Sequence, residues 1–294
     1  DLMQHCQTLI CTLQLSVQPK ELILKLAKKK ITGLAYEWLQ DDKGILTVVR
    51  SMGEIAGTTS VLVAAEHLSN VNKGQGAVLG GITGISPPEV IILGAVSVAT
   101  SAARAAVGLG NTVKVFDNSI SRLRRLKNEL GTSVFTSVVQ PRVLAKHLKS
   151  ADVVIGAVRA GHNGRAPLIV TDAMVGEMKT GSVIIDLSID SGGCVETSEV
   201  TNHTEPTYRK YGVIHYCVPN ITSRVSRTAS YALSTIFTPI LMEIGEMGGL
   251  RQMLLRNDGV RGGIFLFNGT LTNPVLGEIY EIPCKDINLL MAGI

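Results

Sequence analysis

The fold of this chain is decided by Glu89-Val-Ile-Ile-Leu-Gly94-Ala-Val96-Ser-Val-Ala99, then a helix of small residues, then Thr112-Val-Lys-Val-Phe-Asp117-Asn-Ser-Ile-Ser-Arg122. The two apolar runs are typical of strands that are buried on both faces. A strand, a tight glycine turn, a helix, a second strand and then an acid form the βαβ unit that binds dinucleotides. The stretch therefore predicts a dinucleotide-binding α/β domain.

The turn departs from the usual glycine pattern at its middle position. Gly94 permits the tight turn after the strand, and Ala99 is small enough to let the helix and the strand approach each other. Val96 stands where a glycine normally lets the backbone come close to a pyrophosphate. A β-branched side chain there crowds the ligand, and a positive φ would strain it by roughly 1–3 kcal/mol. Two interpretations stay open: a weakened but usable NAD site, and a Rossmann scaffold that no longer binds nucleotide.

The acid after the second strand indicates which dinucleotide to expect. Asp117 lies 23 residues after Gly94, close to the usual spacing of the acid that contacts the ribose hydroxyls. Because a carboxylate repels a 2′-phosphate, Asp117 favours NAD over NADP. Arg122 weakens that preference, since a cation near the ribose accommodates phosphate; its other interpretation is an ordinary helix arginine.

Composition limits the other classes of function. The 294 residues are 45% hydrophobic and 18% charged, and the net charge of +4 is too small and too dispersed to predict nucleic-acid binding. The five cysteines and six histidines show no metal-ligand spacing, so we expect reduced thiols and no metal site. No apolar run reaches the roughly 18 residues of a membrane span, and no signal peptide is visible. We therefore expect a cytoplasmic protein that binds neither nucleic acid nor membranes.

Strand and helix patterns alternate through the middle of the chain, which predicts a doubly wound parallel sheet. The predicted strands are 89–93, 112–116, 152–156, 182–187 and 212–217, and the predicted helices lie near 97–109, 119–129, 141–149 and 172–178. Outside this region the pattern predicts a helix at 21–29, strands at 31–39 and 45–49, and a helix at 226–247. A capping box formed by Ser51 and Glu54 predicts the start of a helix that runs to about His67. The tail 250–294 has a mixed pattern.

Two further clusters follow strands of the predicted sheet, where open α/β sheets bind ligands. The first is Ile184-Ile-Asp186-Leu-Ser-Ile-Asp190-Ser-Gly-Gly193. Asp186 is interpreted as structural, whereas Asp190 in the loop is a candidate contact for nicotinamide or substrate. The second is His215-Tyr-Cys-Val-Pro219-Asn220, in which His215 is more typical of a core histidine and Asn220 is the better candidate for a ligand contact.

Together these residues resemble the alanine dehydrogenase family, whose relatives include the α subunit of proton-translocating transhydrogenase. The resemblance extends in order over roughly residues 8 to 245 and includes Ser51-Met-Gly-Glu-Ile-Ala-Gly57, Gly80-Gly-Ile-Thr-Gly84-Ile-Ser-Pro-Pro88 and Ala151-Asp-Val-Val-Ile-Gly-Ala-Val158. It implies an NAD-dependent enzyme that oxidises L-alanine to pyruvate and ammonia by hydride transfer.

The resemblance also implies roles for individual residues. Asp190 corresponds to the catalytic aspartate, and Asp117 to the acid that holds the adenosine ribose beside the turn. The motif makes Gly94, Val96, Ala99, Asp117 and Arg122 the candidate cofactor contacts at the first turn. The resemblance adds Val158, Leu187, Ser188, Ile189, Asp190, Val218, Asn220 and Ile221 along the nicotinamide side.

Several positions depart from the family pattern. The family's catalytic histidine belongs in Thr12-Leu-Gln14-Leu, and Gln14 can form hydrogen bonds but cannot shuttle a proton near neutral pH. The family serine of the 51–57 stretch is Gly53. The cations that bind the substrate carboxylate belong to an N-terminal stretch that this sequence lacks, so we expect a truncated chain that binds alanine poorly by itself. Two alternatives stay open: a transhydrogenase α-subunit-like NAD(H) hydride carrier and a non-catalytic nucleotide-binding homologue.

The family fold implies a doubly wound Rossmann domain inserted in a second, incomplete α/β catalytic domain. We expect 52–222 to form the NAD-binding domain, and 1–51 with 223–294 to form the catalytic domain. The expected partners are a small amino or keto acid substrate and other copies of the chain. By family likeness we expect a homo-oligomer, with a hexamer as the anticipated form and Leu and Met residues of 226–255 in its interface.

Overall fold

The computed structural model describes residues 2–13, 19–161 and 164–292, and these divide into two units. The first unit contains the residues up to Ser51 and those from Ser230 onward, and the second unit is Met52–Ala229. In chain order, the strands and helices are β1 (Thr8–Cys11), α1 (Lys20–Lys28), β2 (Thr32–Ala35), α2 (Thr47–Leu68), β3 (Glu89–Leu93), α3 (Ser97–Gly108), β4 (Thr112–Phe116), α4 (Ile120–Leu130), β5 (Phe135–Ser137), α5 (Pro141–Leu148), β6 (Val153–Gly156), α6 (Asp172–Gly176), β7 (Val183–Asp186), β8 (Thr207–Lys210), β9 (Val213–Tyr216), α7 (Ser226–Glu246), α8 (Leu250–Arg256), α9 (Asp258–Arg261), β10 (Ile264–Phe267), β11 (Thr270–Leu271), α10 (Pro274–Tyr280) and α11 (Ile287–Ala292).

A mostly parallel sheet forms the centre of the second unit. Within the described part of the chain it has seven strands in the order β5-β4-β3-β6-β7-β9-β8. Of these seven, β8, at one edge, runs antiparallel to its neighbour β9, and the others are parallel. The chain enters at β3, proceeds outward through β4 to β5, and returns to the other side of β3 with β6, which is the order of a doubly wound Rossmann sheet. The predicted fold class is confirmed.

Both faces of this sheet are covered, because alternate side chains of a strand point to opposite faces. Val90 and Ile92 of β3 belong to an apolar cluster that includes the small residues of α3. Ile91 and Leu93 belong to a second cluster, which includes Leu144 of α5. All four strand residues are fully buried. Burial on both faces is why the strands of this unit are continuous apolar runs in the sequence.

Two glycines of α2 set how closely it approaches α3. A Cβ on Gly57 would lie 2.2 Å from the Val98 carbonyl oxygen and 2.8 Å from the Ala102 nitrogen. A Cβ on Gly53, one turn earlier, would lie 3.0 Å from a methyl carbon of Val98. The backbone of α2 therefore lies directly against the first turns of α3, and a larger residue at position 57 would force the helices apart.

The first unit is built on a smaller sheet with the strand order β1-β2-β10-β11. β1 and β2 are parallel, whereas β10 pairs antiparallel with both β2 and β11. Its core contains Ile23 of α1, Ile31 and Phe265. A Cβ on Gly33 would lie 2.4 Å from the Phe265 ring, so this glycine makes room for the aromatic side chain. The tail, for which the sequence predicted no elements, thus contributes two strands and part of this core.

The predictions for residues 31–51 were wrong in part. Residues 45–49 are not a strand, because α2 begins at Thr47; Ser51 therefore lies inside the helix and does not cap it. The predicted strand 31–39 is limited to β2, and Tyr36–Trp38 form a turn of 3₁₀ helix. The β-branched run around Val48 and Val49 favoured a strand locally, but long-range packing decided for a helix, with Val48 buried.

The second unit continues beyond the predicted boundary at residue 222. Ile221 belongs to the apolar cluster over the sheet, and Arg224 forms an ion pair of 2.5 Å with Glu66 of α2. These contacts hold the 3₁₀ turn Ile221–Val225 to the second unit. The assignment of catalytic and nucleotide roles to the two units stays a prediction. None of the helices in the described ranges combines the length and the apolar character that a membrane span requires.

Candidate functional site

The carboxyl ends of the parallel strands bring most of the predicted site residues of the second unit to one edge of the sheet. Gly94 follows β3, Asp117 follows β4, and Val158 comes shortly after β6. Leu187 follows β7, and Val218 comes two residues after β9. Because these strands are parallel, their carboxyl ends lie together, and this is the edge at which doubly wound sheets bind ligands. We call it the carboxyl edge.

Gly94 is required by the geometry of the first turn. Its φ is +107°, and a Cβ at this position would lie 2.2 Å from the Ala157 carbonyl oxygen. Its N–H donates to the carbonyl oxygen of Phe116 at 2.7 Å, which ties the turn to the end of β4. Both the backbone conformation and the lack of space exclude any other residue without strain.

Val96 does not adopt the strained conformation that the sequence left open. Its φ of −96° and ψ of −179° are ordinary extended backbone, and it is the N-cap residue of α3. The first helical hydrogen bond of α3 runs from Thr100 to the Val96 carbonyl oxygen at 2.9 Å. The N–H groups of Ser97 and Val98 precede that bond, so they have no helical acceptor and point out of the helix end. Such a helix end attracts an anion, with the half-buried valine side chain beside it.

Asp117 is buried at the end of β4 and is held by several donors. Its Oδ2 accepts the N–H of Ala95 at 2.8 Å, and its Oδ1 accepts the N–H of Ser119 at 2.7 Å. Arg122 donates to the same Oδ1 from Nε at 3.0 Å and from Nη2 at 2.8 Å. The arginine is thus the ion-pair partner of the acid. Because both arginine bonds go to Oδ1, Oδ2 keeps acceptor capacity for a further donor.

Ala99 lies in the first turn of α3 and is fully buried in the apolar cluster on that face of the sheet. Its small side chain lets α3 pack closely on the sheet, as the sequence predicted for the third position of the glycine pattern.

The loop after β7 places Asp190 at the carboxyl edge. Asp190 lies in the 3₁₀ turn Ile189–Ser191, with its side chain exposed. The backbone N–H of Asn220 donates to its Oδ1 at 3.1 Å and to its Oδ2 at 3.4 Å. Desolvation by the surrounding protein raises the pKa of the Asp190 carboxyl above its usual value, and the Asn220 N–H lowers it in part. The structure therefore brings these two predicted site residues into contact.

Asn220 adopts a left-handed backbone conformation with φ of 51°. This conformation is uncommon outside glycine, although asparagine tolerates it best among the other residues. Its side-chain Oδ1 accepts the hydroxyl of Thr222 at 2.6 Å, and its carbonyl oxygen accepts the hydroxyl of Ser223 at 2.9 Å. These bonds hold the N–H of Asn220 toward Asp190.

The remaining predicted contacts divide into half-buried and buried side chains. Val158 and Leu187 are half-buried, whereas Ile189, Val218 and Ile221 are each 5% exposed or less. Ser188 is also buried, and its Oγ accepts the Val158 N–H at 2.9 Å and donates to the Val158 carbonyl oxygen at 3.2 Å. The buried members of this set shape the edge from within, and their side chains present little surface to a ligand.

One predicted residue cannot be placed, and another is a core residue. Gln14 lies outside the described residues. His215 is fully buried in β9, and burial lowers the pKa of its ring. Its Nδ1 faces the Val213 carbonyl oxygen and its Nε2 lies 2.7 Å from the Thr197 hydroxyl. A core role for His215 is therefore confirmed. In the part of the chain that the structure describes, no group of three or more His, Cys, Asp or Glu residues could hold a metal ion.

Known proteins match this chain along most of its length. The family model described as "Alanine dehydrogenase/PNT, C-terminal domain" matches residues 60–274. An alanine dehydrogenase of Methanococcus maripaludis is 38% identical over 284 residues, which are 96% of this chain and 75% of that protein. A solved structure of an L-alanine dehydrogenase matches with a TM-score of 0.87 and 36% identity, covering 96% of this chain and 77% of the other. A transhydrogenase structure from Sinorhizobium meliloti matches with a TM-score of 0.73 and 20% identity over 91% of this chain and 73% of the other, and shows a shared fold alone.

Proposed function

Since this chain belongs to the alanine dehydrogenase/PNT family, we propose that it is an NAD-dependent dehydrogenase that converts L-alanine to pyruvate and ammonia. The observation that carries the proposal is the placement of Gly94, Asp117 and Asp190 along the carboxyl edge of one parallel sheet. A glycine turn and a ribose acid alone indicate a dinucleotide. An aspartate with a raised pKa at the same edge adds a group for proton chemistry beside it.

The residues at the carboxyl edge fit a dinucleotide. The N–H groups that open α3 suit a pyrophosphate, and the missing Cβ of Gly94 keeps the turn tight. Oδ2 of Asp117 accepts one N–H and is proposed to accept a ribose hydroxyl as its second donor. The carboxylate favours NAD over NADP, although its charge is partly balanced by Arg122. Val96 is the feature that reduces the fit, through the bulk of its side chain and not through backbone strain.

NAD, when bound, supplies the hydride acceptor. In the proposed reaction the Cα of L-alanine loses a hydride and its nitrogen loses a proton; water then adds to the imine, and pyruvate and ammonia are released. We assign to Asp190 the contact with the amino group, because an aspartate at this edge attracts an ammonium ion and, with its raised pKa, exchanges a proton closer to neutral pH than an ordinary aspartate does. Gln14 is assigned a hydrogen bond to the reacting group, since an amide side chain cannot act as the base.

The two units receive different roles in this proposal. Met52–Ala229 is assigned nucleotide binding, because it contains the Rossmann sheet and the carboxyl edge. The residues up to Ser51 and from Ser230 onward are assigned the substrate side.

We also propose a cytoplasmic homo-oligomer. Leu241 and Met242 of α7 are exposed by 50% and 61%, so they are available for contacts between copies of the chain. Met253 and Leu254 of α8 are buried inside their own unit and are not available in this way. Light scattering of the purified protein measures the assembly, and a monomer at all concentrations would contradict it.

The proposal is tested by measuring NADH formation with the purified protein, NAD and L-alanine, with D-alanine as the matched control. Turnover of L-alanine alone supports the proposal. Calorimetric titration with NAD then separates the alternatives. NAD binding without turnover of any amino acid supports a hydride carrier or a non-catalytic homologue. If neither binding nor turnover is found, the assignment of a dinucleotide site is wrong.

A further inference from the structure

Asp186 is a buried carboxylate that the proposed reaction does not use. It ends β7 and is 1% exposed. Three backbone N–H groups donate to it: Ser188 to Oδ1 at 3.0 Å, Cys194 to Oδ2 at 2.9 Å and Val195 to Oδ2 at 3.3 Å. The hydroxyl of Ser198 donates to Oδ2 at 2.7 Å, and the thiol of Cys194 lies 3.6 Å from Oδ1. Every one of these neighbours faces the carboxylate as a donor.

Among the described residues, no cation forms an ion pair with this carboxylate. Their salt bridges include Asp117 and Asp152 but not Asp186. Burying a carboxylate without a cation is unfavourable unless several hydrogen bonds stabilise its ionised form. The converging N–H groups provide these bonds, and such a cluster of backbone N–H groups is a known way to hold an anion in proteins. The same hydrogen bonds also restrain the backbone segments that carry these N–H groups.

The three backbone donors belong to the two ends of a single loop. We define residues 187–195 as the Asp186 loop. Ser188 stands near its beginning, and Cys194 and Val195 stand at its end. Gly193, with φ of +81°, brings the returning chain so close that a Cβ there would lie 2.9 Å from Oδ2 of Asp186. The carboxylate therefore closes the loop, and the glycine leaves room for that closure.

Asp190 lies at the middle of this loop. The N–H of Ser191 donates to the Ser188 carbonyl oxygen at 2.9 Å, and the N–H of Gly193 donates to the same oxygen at 3.0 Å. Ser188 is thus held by Asp186 through its own N–H and by Val158 through its hydroxyl. Ser188 is therefore a main support of the turn that presents the Asp190 carboxyl to the N–H of Asn220, together with the bond from the Gly192 N–H to the Ile189 carbonyl oxygen at 2.9 Å.

We propose that Asp186 is a positioning residue for Asp190: its buried carboxylate fixes the Asp186 loop and thereby the place of the reacting acid. The role of Asp190 in this inference rests on the proposed function, whereas the hydrogen bonds between Asp186 and the loop are observed in the structure. Asp186 itself touches neither substrate nor cofactor in the proposed reaction.

The test compares Asp186→Asn with Asp152→Asn. The amide introduced by Asp186→Asn would turn an NH₂ group toward backbone N–H groups, so one half of the donor set loses its acceptor. Asp152 is a matched buried acid before the amino end of β6, where it accepts the Glu89 N–H at 2.8 Å and Lys179 Nζ at 2.8 Å. Its substitution affects stability at the opposite end of the sheet from Asp190.

For Asp186→Asn we expect kcat with L-alanine to fall by about 10- to 100-fold, because a misplaced reacting group loses alignment. The acid limb of the pH profile of kcat should shift, and Kd for NAD should change less than kcat. With both proteins measured in the absence of nucleotide, amide hydrogen exchange in the peptide that covers 187–195 should be faster in Asp186→Asn than in the parent protein. For Asp152→Asn we expect a lower Tm, with the pH profile and that peptide unchanged.

Two results would overturn the proposal: an unchanged kcat and pH profile in Asp186→Asn, or equal losses of kcat in both variants at equal loss of Tm. If the parent protein turns over no alanine, the proposed function has failed, and the exchange measurement still decides whether Asp186 fixes the loop; unchanged exchange contradicts it. Should Asp186→Asn not fold, Ser198→Ala removes one of the carboxylate's donors, and the same changes are expected at smaller size. Their complete absence in Ser198→Ala would also overturn the proposal.

Discussion

Two buried aspartates at the carboxyl edge, Asp117 and Asp186, are held in different ways. Asp117 shares its charge with Arg122, whose side chain is 41% exposed, and its Oδ2 accepts a single N–H. Asp186 is bonded only to backbone N–H groups, a hydroxyl and a thiol of the described residues, and lies wholly inside the protein. Asp117, with a partly exposed partner and an oxygen that can accept another donor, can bind a ligand. Asp186, whose oxygens are bonded to the loop that follows it, can only stabilise that loop.

The two regions also differ in what fixes the backbone. The first turn depends on the steric freedom of Gly94, which no side chain replaces. In the Asp186 loop one carboxylate accepts N–H groups from both ends of the loop, so a change of a single atom in that group is expected to matter. A steric requirement selects glycine, which can be recognised in the sequence. A carboxylate that accepts several backbone N–H groups cannot be distinguished in the sequence from any other aspartate.

The largest effect is expected at the tip of the Asp186 loop. Asp190→Asn should lower kcat with L-alanine by about 10²- to 10⁴-fold, because the amide cannot exchange the proton. Stability should change by no more than about 0.5 kcal/mol, since the side chain is exposed. In the parent protein, the raised pKa of Asp190 places the loss of activity on acidification above the ordinary aspartate range, since the carboxylate is protonated earlier as pH falls. A pH series of both proteins measures this, and an acid limb that persists in Asp190→Asn would assign it to another group.

The second largest effect is expected at Gly94 and tests the steric requirement for glycine in the first turn. Gly94→Ala combines a φ of +107° with a Cβ at 2.2 Å from the Ala157 oxygen, so we expect a loss of about 2–4 kcal/mol in the free energy of unfolding. Gly131→Ala is the control, because its φ of +64° gives strain but no atom lies within 4 Å of the added carbon. It should lose only about 1–2 kcal/mol. Chemical denaturation measures both values; equal losses would show that the turn relaxes and that crowding at Gly94 is not decisive.

Much of the second unit could be predicted from the sequence, because burial on both faces makes its central strands continuous apolar runs. β3 and β4 were predicted to the residue. The edge strands β5 and β8 were missed, since they are short and interrupt the apolar pattern with polar residues such as Thr136 and Arg209. Local pattern is informative where burial is uniform, and it fails at sheet edges and in residues 45–49, where tertiary contacts decide.

The candidate site divides in the same way. Gly94 and Asp117 could be predicted because each role requires a particular residue type at a fixed spacing. The structural role of Asp186 was predicted, but its partners were not. Those partners are mostly backbone N–H groups of Ser188, Cys194 and Val195, which any residue except proline supplies. A network of this kind leaves no signal in residue types, apart from the adjacent glycines that let the chain return.

A third, smaller effect tests whether Arg122 shares the charge of Asp117. Arg122→Ala leaves the carboxylate with its two N–H donors and without its ion-pair partner. We expect NADP binding to weaken several-fold while NAD binding changes little, because the unbalanced carboxylate repels the 2′-phosphate more strongly. The free energy of unfolding should fall by about 1–2 kcal/mol, because the arginine is 41% exposed but its loss leaves a buried carboxylate without its ion-pair partner. Arg125→Ala, which breaks the exposed pair with Glu129 on the same helix, is the control for loss of a positive charge. If NADP binds more tightly to Arg122→Ala than to the parent, the proposed balance of charges at the ribose is wrong.

The smallest effect is expected at Val96 in the first turn, where a substitution changes side-chain bulk and leaves the hydrogen bonds of the turn in place. Because Val96 is extended and unstrained, Val96→Gly releases no backbone strain. Glycine is also a better N-cap residue than valine, which offsets its greater flexibility, so stability should change by no more than about 0.5 kcal/mol. NAD should bind up to about threefold more tightly, the equivalent of roughly 0.6 kcal/mol, if the isopropyl group crowds the pyrophosphate.

Val96→Ala is the matched variant, since it removes two methyl groups and keeps an ordinary backbone. Equal gains in the two variants, measured by calorimetry, assign the effect to crowding. A gain in Val96→Gly alone means either that the Cβ itself crowds the pyrophosphate or that the backbone leaves its extended conformation when nucleotide binds. No gain in either variant means that the valine side chain lies clear of the ligand. The first turn would then bind NAD as well with valine as with glycine at position 96. It would differ from the Asp186 loop only in how its backbone is fixed, by steric freedom at Gly94 and not by hydrogen bonds to a carboxylate.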